Sequence, residues 1–273
     1  MTATLFLLAG LALAQDAPPT PAPPEGQVVS VYDGDTFTLS NGDKVRVMWV
    51  NTPELKPMEA YGIEARQVTE SFVAGGVVQL TYGGAERDGY GRLLGQVAVD
   101  GKWLAEDLIE KGFAHLFLIP PVGDETPVDL LLAAQDRARA SGRGIWSTDR
   151  YQGTVHITSF HANADGDDRE NVNGEYLRVC NVTSEALNLD GYRISDASGN
   201  SWLLPPVVLP AGHTVKIHSG VGDDNYDAKE QLSIHLGSES PIWNNDYDRA
   251  TLYDRYGRVM DAKLHKPKSA PKR

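Results

Sequence analysis

The sequence predicts two globular domains, an α+β domain followed by an all-β domain. In the first half of the chain, short β-rich runs alternate with segments whose apolar residues recur at helical spacing. After Trp146 only short alternating runs remain, and Gly, Asp and Asn turns separate them. The chain has 273 residues, which is enough for two separate cores. We therefore expect a small five-stranded barrel with three packed helices, followed by a β-sandwich.

The first domain is predicted to contain five strands and three helices. The strands are residues 27–32, 36–39, 44–50, 77–82 and 93–99, with a hairpin turn at residues 40–43. The helices are residues 59–73, residues 102–111, and a third that runs to about Ser141. Gly112 is expected to end the second helix. The third is expected to have Thr126 as its cap and Pro127 at its first position.

The N-terminal end of the chain predicts export. Residues 5–14 are apolar and small, and Ala12-Leu13-Ala14 fits an A-x-A cleavage site. We interpret residues 1–14 as a signal peptide and the Pro-rich residues 15–26 as a linker, so we expect a periplasmic, cell-surface or extracellular protein. The segment before the apolar run has no Lys or Arg, so an apolar start without a targeting function is the alternative.

Charge and cysteine content exclude some classes of protein. The net charge is −12, and neither predicted domain has the basic excess of a tight nucleic-acid binder. The single cysteine, Cys180, excludes an intramolecular disulfide and is expected to be a core residue of a strand. Residues 263–273 form a basic tail that we expect to be disordered. It would either contact nucleic acid or an anionic envelope surface, or simply aid solubility.

Three clusters in the first domain, at residues 31–36, 46–54 and 87–92, contain the residue types that phosphate hydrolysis needs. Asp35 and Asn51 offer hard oxygen ligands, which suit Ca²⁺ or Mg²⁺. Glu54 follows closely in sequence and is placed to polarise a water molecule. Each cluster taken alone also has a plain structural interpretation, such as a tight turn at residues 33–35.

Two arginines in these clusters match the shape of a phosphate group. Arg46 and Arg92 present planar guanidinium groups that bind phosphate through two hydrogen bonds. Glycines flank Tyr90 on both sides, and they allow a ligand to approach the backbone closely. The order and spacing of the three clusters together favour a phosphodiester-cleaving site.

The region from residue 27 to residue 148 closely resembles the staphylococcal nuclease, or thermonuclease, family. The matching motifs are Asp33-Gly34-Asp35-Thr36, Arg46 five residues before Asn51, Asn51-Thr52-Pro53-Glu54, Tyr61-Gly62-Ile63-Glu64-Ala65, Asp88-Gly89-Tyr90-Gly91-Arg92 and Gly144-Ile145-Trp146-Ser147. The resemblance implies an OB-fold barrel in a domain spanning residues 27–150. It also implies a Ca²⁺-dependent endonuclease that acts on DNA and RNA and leaves 3′-phosphate ends.

The same resemblance assigns roles to individual residues. Asp35 and Asn51 would hold calcium together with the backbone carbonyl of Thr52. Glu54 would be the general base or water-orienting group. The phosphate would be held by Arg46 and Arg92, and Tyr90 would line the nucleotide pocket.

Two departures from the family pattern bear on this interpretation. Asn51 stands where the family usually has Asp, so calcium should bind more weakly because affinity follows ligand charge. The base-stacking tyrosines expected after Gly112 are absent from residues 113–120. A catalytically inactive protein that binds nucleic acid or the cell envelope is therefore the alternative to an enzyme.

Residues 153–262 resemble a lamin-tail domain, which implies an immunoglobulin-like sandwich. The matching motifs are Asn173-Gly174-Glu175-Tyr176, Leu189-Asp190-Gly191-Tyr192, Leu209-Pro210-Ala211-Gly212, Trp243-Asn244-Asn245-Asp246 and Tyr256-Gly257-Arg258-Val259. We expect this module to serve in attachment or substrate retention. Trp243 is predicted in the core, and the paired histidines, His156 with His161 and His213 with His218, are predicted on the surface.

Overall fold

The computed structural model describes residues 25–74, 76–82, 86–123 and 126–266, and within these ranges the first domain combines short strands with three helices. The strands are β1 (Glu25–Gly26), β2 (Val28–Val31), β3 (Thr36–Leu39), β4 (Lys44–Val47), β5 (Val50–Asn51), β6 (Val78–Thr81), β7 (Leu93–Val99), β8 (Lys102–Trp103) and β9 (His115–Leu116). The helices are α1 (Gly62–Val73), α2 (Leu104–Glu110) and α3 (Val128–Ala140).

Most strands of the first domain belong to one sheet, in the order β1-β6-β7-β4-β3-β2. The pairings are antiparallel except for β4 with β7, which is parallel. Strand β8 pairs antiparallel with the end of β7, and β5 pairs with β9 in a separate two-stranded ladder. Side chains alternate between buried and exposed along β6, as expected when one face of a strand covers a core.

The helices cover this sheet and close the core. Helix α1 lies against β2, while α2 packs on β7 and on α3. Both α2 residues Leu104 and Leu108 are fully buried because they recur one helical turn apart. Helix α2 ends before Gly112, which has a φ of 78°. A Cβ atom at Gly112 would lie 2.5 Å from the backbone oxygen of Arg143, so glycine is required there.

The second domain is built from strands and a short 3-10 helix at Val172–Gly174. Two further 3-10 helices, at Gly144–Ser147 and Asp149–Tyr151, lead into it. The strands are β10 (Val155–His161), β11 (Tyr176–Asn181), β12 (Leu187–Asn188), β13 (Arg193–Ser195), β14 (Ser201–Leu203), β15 (Val208–Leu209), β16 (Thr214–Gly220), β17 (Leu232–Ser238), β18 (Asp248–Tyr253) and β19 (Val259–His265). The predicted fold class, an α+β domain followed by an all-β domain, is confirmed.

Two four-stranded sheets, β10-β11-β16-β17 and β14-β13-β18-β19, supply the core of the second domain. Val179 and Ile217 from the first sheet and Ile194 and Leu252 from the second belong to one apolar cluster. Trp243 is also buried in this cluster, as predicted. Strands β12 and β15 form a further two-stranded ladder.

The two domains share a buried interface. Cys180 lies fully buried among apolar residues of both domains, with its Sγ 3.4 Å from the carbonyl oxygen of Leu116. The amide of Leu118 donates to the carbonyl of Gly212 at 2.8 Å. Arg139 of α3 donates to two backbone carbonyls of the second domain, at 2.8 and 3.0 Å. The domains are therefore joined by packing and by directional hydrogen bonds.

One histidine prediction was wrong. His156 was expected at the surface, but it is 1% exposed at the domain interface, where its ring stacks on Tyr151 with centroids 4.2 Å apart. Its Nδ1 lies 2.8 Å from Oδ2 of Asp261. The side chain points inward at the strand end that faces the first domain, and the alternation within one strand cannot reveal a neighbouring domain.

Element boundaries differ from the predictions near the site. The strand predicted at residues 44–50 is interrupted, because Trp49 has a φ of 67° and Val50–Asn51 pairs with β9 instead. The first helix starts at Gly62 rather than at residue 59, because Tyr61 also has a left-handed φ of 67°. Both changes redirect the chain around Asn51.

Two other helix starts were misplaced. Lys102–Trp103 forms strand β8, so the second helix begins at Leu104. The side chain of Thr126 was predicted to cap the third helix, but Pro127 occupies the cap position and no side-chain cap bond forms. The amide of Val128 donates instead to the backbone carbonyl of Thr126 at 2.8 Å, so the first free amide of the helix is satisfied without a side chain.

The predicted terminal segments are shorter than expected. Glu25–Gly26 was assigned to the linker but pairs with Val78 and Gln79. Residues 263–265 were assigned to a disordered tail but belong to β19. The predicted signal peptide and the rest of the linker and tail, at residues 1–24 and 267–273, lie outside the described residues. Among the helices that are described, none is both long and apolar enough to cross a membrane.

Candidate active site

The turn that follows β2 places Asp35 inside the first domain. Oδ1 of Asp33 accepts a hydrogen bond from the amide of Asp35 at 3.2 Å, which closes a local Asx-type turn. A Cβ atom on Gly34 would lie 2.6 Å from the side chain of Thr52 and 2.8 Å from that of Ala65. Thr69 of α1 donates to the carbonyl of Gly34 at 2.6 Å. The close contact with α1 therefore requires glycine and holds the turn in place.

Asp35 is the hub of the cluster. Its Oδ2 accepts hydrogen bonds from the amide and the hydroxyl of Thr52, at 2.9 and 3.0 Å. Its Oδ1 lies 3.2 Å from Nε of Arg46 and accepts from the hydroxyl of Thr36 at 3.1 Å. Three of the predicted site residues, Asp35, Arg46 and Thr52, are thus brought into direct contact. The buried carboxylate is fully hydrogen-bonded, so its orientation is preorganised.

Negative charge is crowded around this hub. Burial raises the pKa of Asp33 to about 7, and the neighbouring carboxylates of Asp35 and Glu54 add to the shift. Burial also raises the pKa of Glu54, with Asp35 as the next largest cause. Lys263 opposes the shift of Glu54 and Arg46 opposes both shifts, but these cations do not cancel them. The carboxylates therefore lie close together, and the nearby cations do not fully compensate their negative charge.

The side chain of Asn51 is hydrogen-bonded to a buried histidine, His115. His115 is fully buried, and burial lowers its pKa to about 3, so its ring is neutral. Its Nδ1 lies 2.8 Å from the carbonyl of Leu116, to which it must donate. The other nitrogen, Nε2, then accepts from Nδ2 of Asn51 at 3.4 Å. The side-chain amide of Asn51 donates to Nε2 of His115 through its nitrogen, which leaves its oxygen without a role in this bond. An aspartate at this position would have no hydrogen to donate to the histidine.

The donor set fits a hard divalent cation. Asp35 offers a carboxylate, Asn51 a side-chain carbonyl and Thr52 a backbone carbonyl, and all three are oxygen donors of the kind that Ca²⁺ prefers. The described ranges contain no cluster of three or more His, Cys, Asp or Glu arranged to hold a metal ion. The raised carboxyl pKa values of Asp33 and Glu54 mark a place where added positive charge would be stabilising.

Arg92 and Tyr90 lie on a separate turn. Nε of Arg92 donates to Oδ2 of Asp88 at 2.8 Å, and its guanidinium stands 5.5 Å from the ring centre of Tyr90. The Tyr90 side chain is 81% exposed. Arg87, on the same turn, pairs with Asp43 at 2.9 Å. Arg92 and Tyr90 are therefore arranged with each other and not in contact with the Asp35 hub.

Several residues around the site were not identified from the sequence. Glu59 accepts a hydrogen bond from the amide of Glu54, and Lys263 and Arg150 contact Glu59. Lys263 and Glu59 are 204 residues apart, so no spacing pattern links them. His115 follows the second helix without any recognised motif. Only Asp33 could have been found, because its turn was already singled out.

The geometry agrees with comparisons against known proteins. A family model described as staphylococcal nuclease homologue matches residues 44–148, and a lamin tail domain model matches residues 148–265. An uncharacterized endonuclease of Escherichia coli is 36% identical over 125 residues, which cover 45% of this chain and 76% of that protein. Endonuclease YncB of Bacillus subtilis is 35% identical over 127 residues, which cover 44% of this chain and 60% of that protein.

A thermonuclease of Staphylococcus hyicus is 30% identical over 128 residues, which cover 44% of this chain and 75% of that protein. The first domain is accordingly a nuclease, a hydrolase whose substrate is nucleic acid. The chain belongs to the staphylococcal nuclease family and carries a lamin-tail domain after its nuclease domain.

Proposed function

We propose that this protein is an exported, calcium-dependent nuclease that hydrolyses phosphodiester bonds of DNA, RNA or both and leaves 3′-phosphate ends. The observation that carries the proposal is the preorganised contact of Asp35 with Arg46 and Thr52, beside the partly buried Glu54. Asp35, Asn51 and Thr52 would hold calcium, which would supply positive charge to the phosphate. At Asp35 the ion would replace one of the present partners, because both carboxylate oxygens already have two.

Each residue has a defined part in the reaction. Glu54 accepts a proton from the attacking water, whose oxygen forms a bond to phosphorus while the bond to the 5′ oxygen breaks. The departing 5′ oxygen takes a proton from solvent and leaves as a hydroxyl. The guanidinium groups of Arg46 and Arg92 hold the phosphate and stabilise its developing charge. For Arg92 this requires exchange of Asp88 for a phosphate oxygen. Tyr90, whose ring is largely exposed, lines the nucleotide pocket.

The test is cleavage of labelled single-stranded DNA and RNA by the mature protein with millimolar calcium or with chelator. We expect cleavage only with calcium, and a loss of about 10²–10⁴-fold in rate for Glu54→Gln. Glu70→Gln is the matched control, because Glu70 is an exposed glutamate of α1 paired with Arg66. Cleavage by Glu54→Gln at the rate of the unmodified protein would remove Glu54 from the mechanism.

For the lamin-tail domain we propose substrate retention, supported by a row of rings on the outer face of its first sheet. The row consists of His161, Tyr176, His218 and His235, which are consecutive cross-strand partners on β10, β11, β16 and β17. Adjacent ring centroids are 5.2, 6.1 and 4.9 Å apart. Lys216 adds positive charge, with its Nζ 4.0 Å from the ring centre of Tyr176.

One ring of this row, Tyr176, lies within electrostatic range of Tyr90 on the nuclease turn. Burial raises the pKa of Tyr176, and the nearby Tyr90 hydroxyl is the second cause. A strand leaving the nuclease site would therefore meet rings and a lysine, which is the combination that binds single-stranded nucleic acid. The alternative role is attachment to the cell envelope, which would not require a row of aromatic rings beside a lysine.

Binding of labelled single-stranded DNA in chelator separates the two roles. Tyr176→Ala should weaken binding about 5- to 150-fold, because a stacked base contributes about 1–3 kcal/mol. Lys216→Ala should also weaken binding, because it removes a positive charge that attracts the phosphate backbone. Tyr256→Ala is the control for Tyr176, since Tyr256 is 78% exposed on the turn between β18 and β19 of the same domain. Unchanged binding in both variants would reject substrate retention and leave attachment.

Two finer points of architecture and location belong to the same proposal. We assign the first domain to the OB-fold barrels and the second to the immunoglobulin-like sandwiches, in line with the parallel β4–β7 pairing and the shared core of two sheets. Export rests on residues 1–14 as a signal peptide. Mass spectrometry of the N-terminus in periplasmic and medium fractions tests it, and an intact Met1 in the cytoplasmic fraction would reject it.

A further inference from the structure

The segment after Glu54 folds back so that Glu59 holds the backbone of Glu54. The amide of Glu59 donates to the carbonyl of Glu54 at 2.8 Å, and the amide of Glu54 donates to Oε2 of Glu59 at 3.1 Å. These two bonds form a closed ring between the residues. The position of the Glu54 backbone therefore depends on where the Glu59 carboxylate is held.

The second domain holds that carboxylate. Oε1 of Glu59 lies 3.3 Å from Nζ of Lys263, which is on β19, and 2.5 Å from Nη1 of Arg150. Lys263 also donates to the carbonyl of Thr158 on β10 at 3.0 Å, which anchors its ammonium group to the second domain. The side chains of Glu59 and Lys263 are only 12% and 15% exposed, so the pair is largely shielded from water.

The rest of this network extends into the second domain. Nε of Arg150 lies 3.3 Å from Oδ1 of Asp261, whose side chain is 1% exposed. The other oxygen of Asp261 accepts from the amide of Ile157 at 2.7 Å. The two cations that contact Glu59 are thus themselves held by groups of the second domain, Lys263 by the carbonyl of Thr158 and Arg150 by Asp261. A network with every member hydrogen-bonded is rigid.

Charge supports the same arrangement. Burial alone would raise the pKa of Glu59, but Lys263 and Arg150 lower it to about 2. The carboxylate is therefore ionised at neutral pH and accepts both the cations and the Glu54 amide. Removing one cation would leave a buried charge with weaker compensation, which is costly.

We propose that Lys263 of the lamin-tail domain is a positioning residue for the nuclease reaction, acting through Glu59 on Glu54. The nuclease site is then complete only when the second domain is docked. This inference rests on the proposed role of Glu54 as the base. It gives the second domain a part in turnover that is separate from substrate retention.

The experiment compares steady-state cleavage by the full-length variants Lys263→Met, Lys263→Arg and Arg139→Met. Arg139 is the matched control, because it also joins the two domains but contacts the carbonyls of Val182 and Gly153 and the ring of Trp146 rather than Glu59. We expect Lys263→Met to lower kcat about 10- to 100-fold with KM within about twofold, since a misplaced reacting group costs up to about 10²-fold. Lys263→Arg should retain kcat, and Arg139→Met should lower Tm without lowering kcat.

A double-mutant cycle shows whether Lys263 acts through Glu59. Lys263→Met should cause little further loss of kcat in a Glu59→Gln background. Equal loss of kcat in Lys263→Met and Arg139→Met, or fully additive effects in the cycle, would overturn the proposal. If Glu54→Gln abolishes cleavage while Lys263→Met leaves kcat unchanged, only this inference fails. If Glu54→Gln is fully active, the proposed base is wrong as well.

Discussion

The same five-residue turn occurs in both domains, at Asp88–Arg92 in the nuclease domain and at Asp254–Arg258 in the lamin-tail domain. In each turn the first amide donates to the last carbonyl at 2.9 Å, and the Asp Oδ1 accepts from the amides two and four residues on. The Arg Nε donates to the same carboxylate, and its guanidinium stands 5.5 Å from the Tyr ring. The two turns share one set of internal bonds.

The difference lies in what surrounds the arginine. The Arg92 side chain is 27% exposed, whereas the Arg258 side chain is 70% exposed. The turn of Arg92 is held by Arg87, which donates to the carbonyl of Gly91 and pairs with Asp43. The internal bonds of this turn are therefore structural, and they do not by themselves indicate catalysis. A catalytic role for Arg92 depends on its surroundings.

The largest expected effect separates the two arginines. Arg92→Ala should lower kcat/KM about 10²–10³-fold, as loss of one donor to a developing oxyanion does. Arg258→Ala removes the same internal bonds from the other turn and should leave kcat/KM unchanged. Steady-state cleavage of single-stranded DNA measures both. Equal losses in the two variants would mean that the turn matters only for folding.

The two tyrosines should differ in substrate binding. Tyr90→Ala should weaken binding of single-stranded DNA in chelator by about 1–3 kcal/mol, the contribution of one stacked base. Tyr256→Ala, which removes an equally exposed ring, should leave binding unchanged. Fluorescence anisotropy with labelled DNA measures the difference. A loss in both variants would favour a second binding surface around residues 254–258.

Replacing the glycines should have equal effects on stability. Gly91 and Gly257 have φ values of 77° and 82°, and no atom would lie within 4 Å of an added Cβ at either position. Gly91→Ala and Gly257→Ala should each lower the free energy of unfolding by about 1–2 kcal/mol, because only backbone strain changes. Urea unfolding measures this. A much larger loss for Gly91→Ala would indicate a packing contact at the nuclease turn.

The smallest expected effect is on acid stability. Burial alone would raise the pKa values of Asp88 and Asp254, but hydrogen bonds from Arg92, Arg258 and the backbone lower both below 3.8. A carboxylate whose pKa is lower in the folded state stabilises the folded protein at pH values above its unfolded-state pKa. This stabilisation is lost as the pH falls through the folded-state pKa. Asp88→Asn and Asp254→Asn should therefore show a smaller drop in Tm between pH 5 and about pH 3. An unchanged drop in both variants would contradict the shift.

Sequence patterns predicted most of the secondary structure of the nuclease domain and the residues of its hub. Strands 36–39 and 93–99 were predicted with their observed bounds, because alternation and flanking turns define them locally. The contact of Asp35 with Arg46 also follows from neighbouring strands, since Thr36 pairs with Arg46. Predictions were less accurate at residues 48–61, where two left-handed residues redirect the chain.

The residues assigned to the site from the sequence also fall into two groups in the structure. Asp35, Arg46 and Thr52, which were assigned to the site from the sequence, are in contact, whereas Arg92 and Tyr90 lie on their own turn; the roles assigned to these residues stay predictions. The substitution that puts Asn at residue 51 was interpreted from the sequence only as a loss of ligand charge. The structure adds a second reason, because a neutral buried His115 needs a donor.

The sequence by itself determined the features that depend on nearby residues. The order of elements and the buried strands follow from the spacing of apolar residues along the chain. The Asp33–Asp35 turn and the five-residue turns arise from bonds between groups a few residues apart. Only the tertiary structure decided that His156 is buried and that Lys263 reaches Glu59. Those contacts join two domains, and their partners are selected by packing across an interface that no local pattern encodes.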